Sequence, residues 1–306
     1  MSRLILRPSL APYVLLSPFM VLFFVFGLFP IAFSFYLMFH TWDPVQGLGA
    51  MQYVGSNNLE FALQDPLMWT SLGNTLWLAV ASGLPQHLVA LPLAYWINER
   101  AGRWRNTALG IYFLPYITST VAIAIMFATL FSTDYGAINT LLQTMAKSPW
   151  LGQWLPAQHI DWLGQPETIK PVLALVIFWR YVGFNLVLYV SAMQSIPRDL
   201  YEAARLDGAG PWRVFWHITL PQLRPMMLFG ATLTLVGGLQ LFEEPFILTG
   251  GKGGIEYAGM TTALYMYRTA FEFSDFGLAS AISWLLFGLI LLLTWMTHRW
   301  LKGKSQ

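Results

Sequence analysis

Apolar residues in this chain gather into six long runs, at about residues 12–39, 72–97, 108–131, 171–194, 225–248 and 276–298. A helix needs ~17–25 such residues to cross the hydrocarbon of a bilayer, and every run is long enough to do so. Several are long enough to tilt or to project beyond the lipid. The pattern predicts an all-α integral membrane protein with six transmembrane helices. The first run is too long for the ~7–15-residue apolar segment of a secretory signal, and no small-residue cleavage site follows it, so it reads as a retained span. No internal repeat or low-complexity segment interrupts the series.

The polar positions between the runs set the orientation. Arg3 and Arg7, then Arg100, Arg103 and Arg105, then Arg198, Arg205, Arg213 and Arg224, and finally Arg299, Lys302 and Lys304 fall in alternate segments. The intervening segments hold only Lys147, Lys170, Lys252 and Arg268. Lys and Arg accumulate on the cytoplasmic side of a membrane protein, so both termini and the 194–224 loop are expected in the cytoplasm. The opposite segments are rich in Trp, Pro and Gly, as in SPWLGQWLPAQHIDWLGQPE, and suit the membrane–water boundary. Residues 132–169 are expected to form a short external subdomain.

Composition narrows the chemistry. The chain is 56% hydrophobic and 10% charged, against about 25% charged in soluble domains. A net charge of +2 suggests no nucleic-acid partner. The absence of cysteine excludes disulfides, thiolate metal sites and thiol nucleophiles. The five histidines are scattered without metal-ligand spacing.

One inner segment departs from the oily pattern: YEAARLDGAGPWRVFWHITLP, residues 201–221. Helix formers cluster from Pro197 to Leu206, with Ser195 as the expected N-cap. Leu200, Ala203 and Ala204 share one face, away from Asp199, Glu202 and Arg205. Gly208 is expected to end the helix in a left-handed conformation, and Pro211 to open a second one. Trp212, Phe215 and Trp216 share the next face, and Ile218-Thr219-Leu220-Pro221 closes the unit before Pro225 starts the fifth run. The expected product is a pair of short helices with accessible alanines and aromatics behind, shaped for a groove in a partner protein. An amphipathic loop lying on the membrane has the same spacing.

Glu202-Ala203-Ala204, three residues, Gly208, nine residues, Ile218, one residue and Leu220-Pro221 resemble the EAA signature of permease subunits of binding-protein-dependent ABC importers. The flanks QSIPRDLYEAARLDGAG and WRVFWHITLPQLRP are similar to the sugar branch of that family, as are YVGSNN, GNTLW, WRYVGF, LFEEPFILTGG and FGLASAIS. The likeness covers nearly the whole chain and departs from the pattern at GGKGG, residues 250–254. It implies a type I importer permease fold in the cytoplasmic (inner) membrane, with 195–224 as the coupling loop. Glu202, Ala203, Ala204, Gly208, Ile218, Leu220 and Pro221 would then engage an ATPase subunit. The implied partners are a second homologous permease, two ATPase subunits and an extracytoplasmic solute-binding protein, with membrane lipid around the spans. ATP and magnesium would sit on the ATPase subunits. The chain's own Gly-Lys-Ser at 303–305 lacks the upstream glycine of a phosphate-binding loop, because that position is His298.

Charges within the apolar runs complete the candidates. Arg180 in the fourth run and Glu243 and Glu244 near the outer end of the fifth are expected at similar depths. In one reading the arginine pairs with a glutamate and holds the two spans together. In the other, Arg180, Asn185, Tyr189, Gln240, Glu243 and Glu244 line a substrate path and bond to sugar hydroxyls. An ion-coupled carrier would also use such acids but leaves the EAA-type loop without a purpose. A membrane enzyme has no catalytic cluster to support it.

Overall fold

The computed structural model describes residues 11–302 apart from 149, 151 and 155–157. Arg3, Arg7, Lys304 and the Gly-Lys-Ser triplet lie outside them. Five helices are long and apolar enough to cross a membrane, and a sixth span exists if one sharply bent helix pair is counted as one.

The chain divides into two units. The first comprises residues 1–65 and 266–285. It begins with α1 (Ala11–Phe23) and α2 (Phe29–Leu37), joined by a π turn over Phe24–Leu28. Pro30 has no N–H to give and crowds the carbonyl four residues back, and the helix accommodates it by widening. Two short strands follow, β1 (His40–Thr41) and β2 (Gln52–Tyr53), paired antiparallel. The helix α3 (Asn57–Gln64) comes next. Buried Asn58 donates to the carbonyls of Met38 and His40, at 3.0 and 2.9 Å. Gly277 lies against the His40 carbonyl where a side chain would collide. YVGSNN and FGLASAIS, remote in sequence, therefore meet.

The second unit comprises residues 66–265 and 286–306. Its axis is α4 (Pro66–Arg100), packed along α8 (Pro166–Met193). The third apolar run, 108–131, does not form one continuous helix. A helix α5 (Arg105–Ile117) and a helix α6 (Thr120–Leu130) meet at a 92° bend. Thr118 and Ser119 are extended there (ψ 149° and 129°), and the Thr118 hydroxyl bonds back to the Leu114 carbonyl at 2.8 Å. Hydropathy counts the apolar residues of both pieces but is blind to the bend.

The segment 132–165 contains α7 (Ala137–Ala146). It is organised by buried Asn139, whose side chain accepts from Trp162 Nε1 at 3.0 Å and donates to the Ile160 carbonyl at 2.9 Å. After the loop bearing α9 (Arg198–Leu206), α10 (Pro211–Val214) and α11 (Leu220–Gln222), the fifth run forms α12 (Arg224–Leu239) and α13 (Glu243–Leu248). The chain ends in α14 (Thr262–Phe271) and α15 (Phe276–Lys302). GNTLW now has a structural role. The Asn74 amide, near the start of α4, holds the carbonyls of Tyr257 and Met260 at 2.8 and 2.9 Å, pinning the glycine-rich loop after α13.

Candidate functional site

Three arrangements in the second unit carry chemistry: the loop at the end of α8, a polar cavity higher along α8, and a buried ion pair above that.

In the loop, α9 ends at Leu206 and Gly208 takes φ +75°, the left-handed turn expected of it. The Ala209 N–H reaches back to the Ala204 carbonyl at 2.9 Å and closes the helix end. Pro211 opens α10. Three expectations need correction. Ser195 is not the N-cap: its hydroxyl donates to the Ala192 carbonyl at 2.7 Å, still completing α8, and the cap position is Pro197. The alanines do not share an accessible face. Ala203 is exposed, whereas Ala204 is turned inward, only 8% exposed, because the inner face of a short helix must close on something. Of the aromatics, only Phe215 is buried, its ring tilted against Tyr95, while Trp212 and Trp216 face outward.

The outer surface of the unit is then Glu202, Ala203, Leu206 and Gly208, all exposed, with Leu206 90% accessible. Ile218, Leu220 and Pro221 are half-buried in the π turn Phe215–Thr219 and in α11, where the unit joins α12. Three contacts fix its back. The Tyr201 hydroxyl meets Thr219 Oγ1 at 3.1 Å, the Tyr95 hydroxyl donates to the Pro211 carbonyl at 3.1 Å, and Arg205 Nη2 bonds Glu99 Oε2 at 2.9 Å. Burial pushes the Tyr201 phenol above its usual range; its hydrogen bond with Thr219 opposes this and the Glu99 carboxylate adds to it. Sequence reasoning missed the contacts to α4, since Tyr95 and Glu99 are about a hundred residues upstream and bear no local mark.

The cavity lies between α4, α5, α8 and α12 and encloses about 240 Å³. Ser82, Gln86, Tyr116, Tyr181, Phe184, Asn185 and Thr234 line it, with Gly237 and Gly238 on the α12 side. The Asn185 amide donates to Gln86 Oε1 at 3.1 Å, and Asn185 Oδ1 has no hydrogen-bond partner among the described residues. Aromatic walls with a few convergent amides and hydroxyls suit a neutral polyhydroxylated ligand, because rings stack on its C–H faces and amides serve hydroxyls as both donor and acceptor.

Of the candidate path residues, Asn185 is on this wall. Tyr189, one turn along α8, is buried and bonds His87 Nδ1 at 2.7 Å. Gln240 is exposed at the break between α12 and α13. Arg180 Nη1 contacts Glu244 Oε1 at 2.6 Å and Glu243 Oε2 at 3.8 Å. Glu244 is buried, whereas the Glu243 side chain is 60% exposed. Of the two acids an ion-coupled carrier would use, Glu244 is therefore already held by an arginine. Gln86 and Tyr116 went unread in the sequence. Gln86 did carry a signal: a polar side chain in the middle of an apolar run.

The sequence profile of the family described as "Binding-protein-dependent transport system inner membrane component" matches residues 88–302. The chain belongs to that family. The matched region holds the C-terminal part of α4 and the entire loop from α8 to α12. This transport component is 33% identical over 286 residues to the lactose transport system permease protein LacF of Rhizobium radiobacter, covering 93% of this chain and 91% of that one. It is 31% identical over 287 residues to the arabinooligosaccharides transport system permease protein AraP of Bacillus subtilis (strain 168), covering 93% and 86%. Its fold matches a chain in the crystal structure of a bacterial ABC transporter involved in import of the acidic polysaccharide alginate, with TM-score 0.81 at 23% identity over 97% and 96% of the two chains. The fold is that of a type I importer permease, and the transport component is a multi-pass membrane protein.

Proposed function

We propose that this chain is the membrane-spanning permease subunit of an ATP-driven ABC importer that carries a carbohydrate or polyol across the cytoplasmic membrane. It would work with a second homologous permease, two ATPase subunits that hold ATP and magnesium, and an extracytoplasmic solute-binding protein. The reading is supported by relatives that carry lactose and arabinooligosaccharides in their names. The observation that carries it is the α9–α10 unit. Its tip, at Glu202, Ala203 and Gly208, is exposed, while its back is tied to α4 and runs into α12. A push on the tip would move α8, α4 and α12 together, with the termini and this loop in the cytoplasm.

Gly208 tests the coupling half. Its backbone is left-handed, and a Cβ there would meet nothing within 4 Å, so a substitution strains the backbone without a collision. A β-branched residue costs about 1–2 kcal/mol in that conformation. Gly208→Val is expected to lower ATP-driven uptake about tenfold while the amount of folded chain in the membrane stays near wild type. Unchanged uptake in vesicles containing the full transporter would remove the coupling role.

The cavity is proposed as this chain's share of the substrate path, with Gln86, Tyr116, Tyr181, Asn185 and Thr234 as its contacts. Losing one hydrogen bond to a hydroxyl costs about 1 kcal/mol. Asn185→Leu is therefore expected to raise the KM for uptake about five- to tenfold, with ATPase activity still stimulated by the loaded binding protein. A fall in ATPase stimulation with unaltered KM would place Asn185 in helix packing instead.

A further inference from the structure

A further cavity in the second unit is neither the polar one nor part of the coupling tip. It opens at the lower end of α4 and holds about 600 Å³. Pro92, Trp96, Glu99 and Arg100 line one side, and Trp212 and Arg205 line the other. On α4 these positions recur at helical spacing, so one face presents the cavity wall over about 12 Å. The wall is graded. Pro92 and Trp96 belong to the apolar stretch of a membrane-crossing helix, whereas Glu99 and Arg100 are its last residues.

The charges are unequal. Glu99 is satisfied by Arg205 at 2.9 Å. Arg100 is exposed and has no ion-pair partner among the described residues, so the cavity keeps one net positive charge. Arg103 and Arg105 follow just beyond, with Arg103 stacked on the exposed Trp104 ring at 5.6 Å. Trp96 and Trp212, 58% and 68% exposed, stand at the mouth. Exposed indoles beside arginines at a span's end occupy the depth of lipid headgroups.

We propose that this cavity binds one anionic glycerophospholipid, with its phosphate on Arg100 and an acyl chain along Pro92 and Trp96 between the indoles. Only a lipid carries a phosphate and a long apolar chain at the separation the graded wall offers, and the surrounding bilayer supplies it at high local concentration. The lipid would then rest against both α4 and α10, the two elements that Glu99 and Arg205 already join. This site is independent of the substrate's identity.

The test uses the intact transporter in nanodiscs of phosphatidylcholine with a minor fraction of phosphatidylglycerol, read by native mass spectrometry. One phosphatidylglycerol per copy of this chain should be retained after the annular lipids are stripped. One arginine near a charged lipid contributes about a fivefold change in affinity, so Arg100→Gln should weaken retention about fivefold and Arg100→Lys should restore most of it. Size-exclusion profiles report whether each variant still assembles, and the Lys variant keeps the result interpretable if Gln disturbs the fold. A photoreactive residue in place of Trp212 should form an adduct of phospholipid mass. Equal retention by wild type and Arg100→Gln, displacement by glycerol phosphate as readily as by the lipid, or an adduct with an ATPase subunit instead of lipid would each overturn the assignment.

Discussion

Replacing Glu244 with leucine is expected to cost about 3–5 kcal/mol and to leave little folded transporter in the membrane, because the Arg180 charge stays buried without its counterion. Glu244 is 2% exposed, and Arg180 Nε already lacks a hydrogen-bond partner among the described residues, so few groups stand ready to compensate. Glu243 cannot take over without moving, since its nearest oxygen is 3.8 Å from Arg180 and its side chain is mostly in the open. The double variant Arg180→Met/Glu244→Leu should recover most of the loss, since removing both charges leaves neither one stranded. Thermal unfolding of the purified chain, followed by size exclusion after heating, measures both. If the single and double variants are equally unstable, the glutamate matters for its shape rather than for its charge. If both resemble wild type, the pair contributes nothing to stability.

The second large effect is steric. A Cβ built on Gly183 would fall onto the backbone carbonyl of Tyr112, so α5 and α8 touch through bare main chain at that point. Gly183→Ala must push the helices apart, and overpacking of this kind costs about 1–3 kcal/mol or more. The expected result is a lower melting temperature and a distorted cavity, since Tyr116 and Phe184 sit within one turn of the contact and both line it. Gly110 on α5 is the matched control. It is exposed and a Cβ there meets nothing within 4 Å. Gly110→Ala should leave stability unchanged or raise it by about 0.5–1 kcal/mol through helix propensity. Equal behaviour of the two variants in a melting experiment would show that the α5–α8 approach is looser than described.

How much was legible beforehand depends on the range of the interaction responsible. Apolar runs of membrane-crossing length could be read because lipid imposes one condition, a long apolar helix, residue by residue. Gly208 and Pro211 were legible because each acts on its own backbone. The break in the third run was not, since a bend at Thr118–Ser119 alters no residue's hydropathy. The inward turn of Ala204 was not either, because an alanine carries no sign of which surface will cover it. Gln86 was overlooked, although its position in an apolar run offered a cue, and its meeting with Asn185 lies across 99 residues of chain.

The sequence by itself determined that this chain crosses a membrane several times, and that one charged loop carries a left-handed glycine and a proline-started helix. Those properties follow from local chemistry: transfer free energy, backbone freedom and a missing N–H. Only the tertiary structure decided which acid holds Arg180, which side chains surround the cavity, and that α4 supports the back of the loop. Each of those depends on the angle and depth at which separate helices pack, and side-chain order along one helix does not specify how another will cross it.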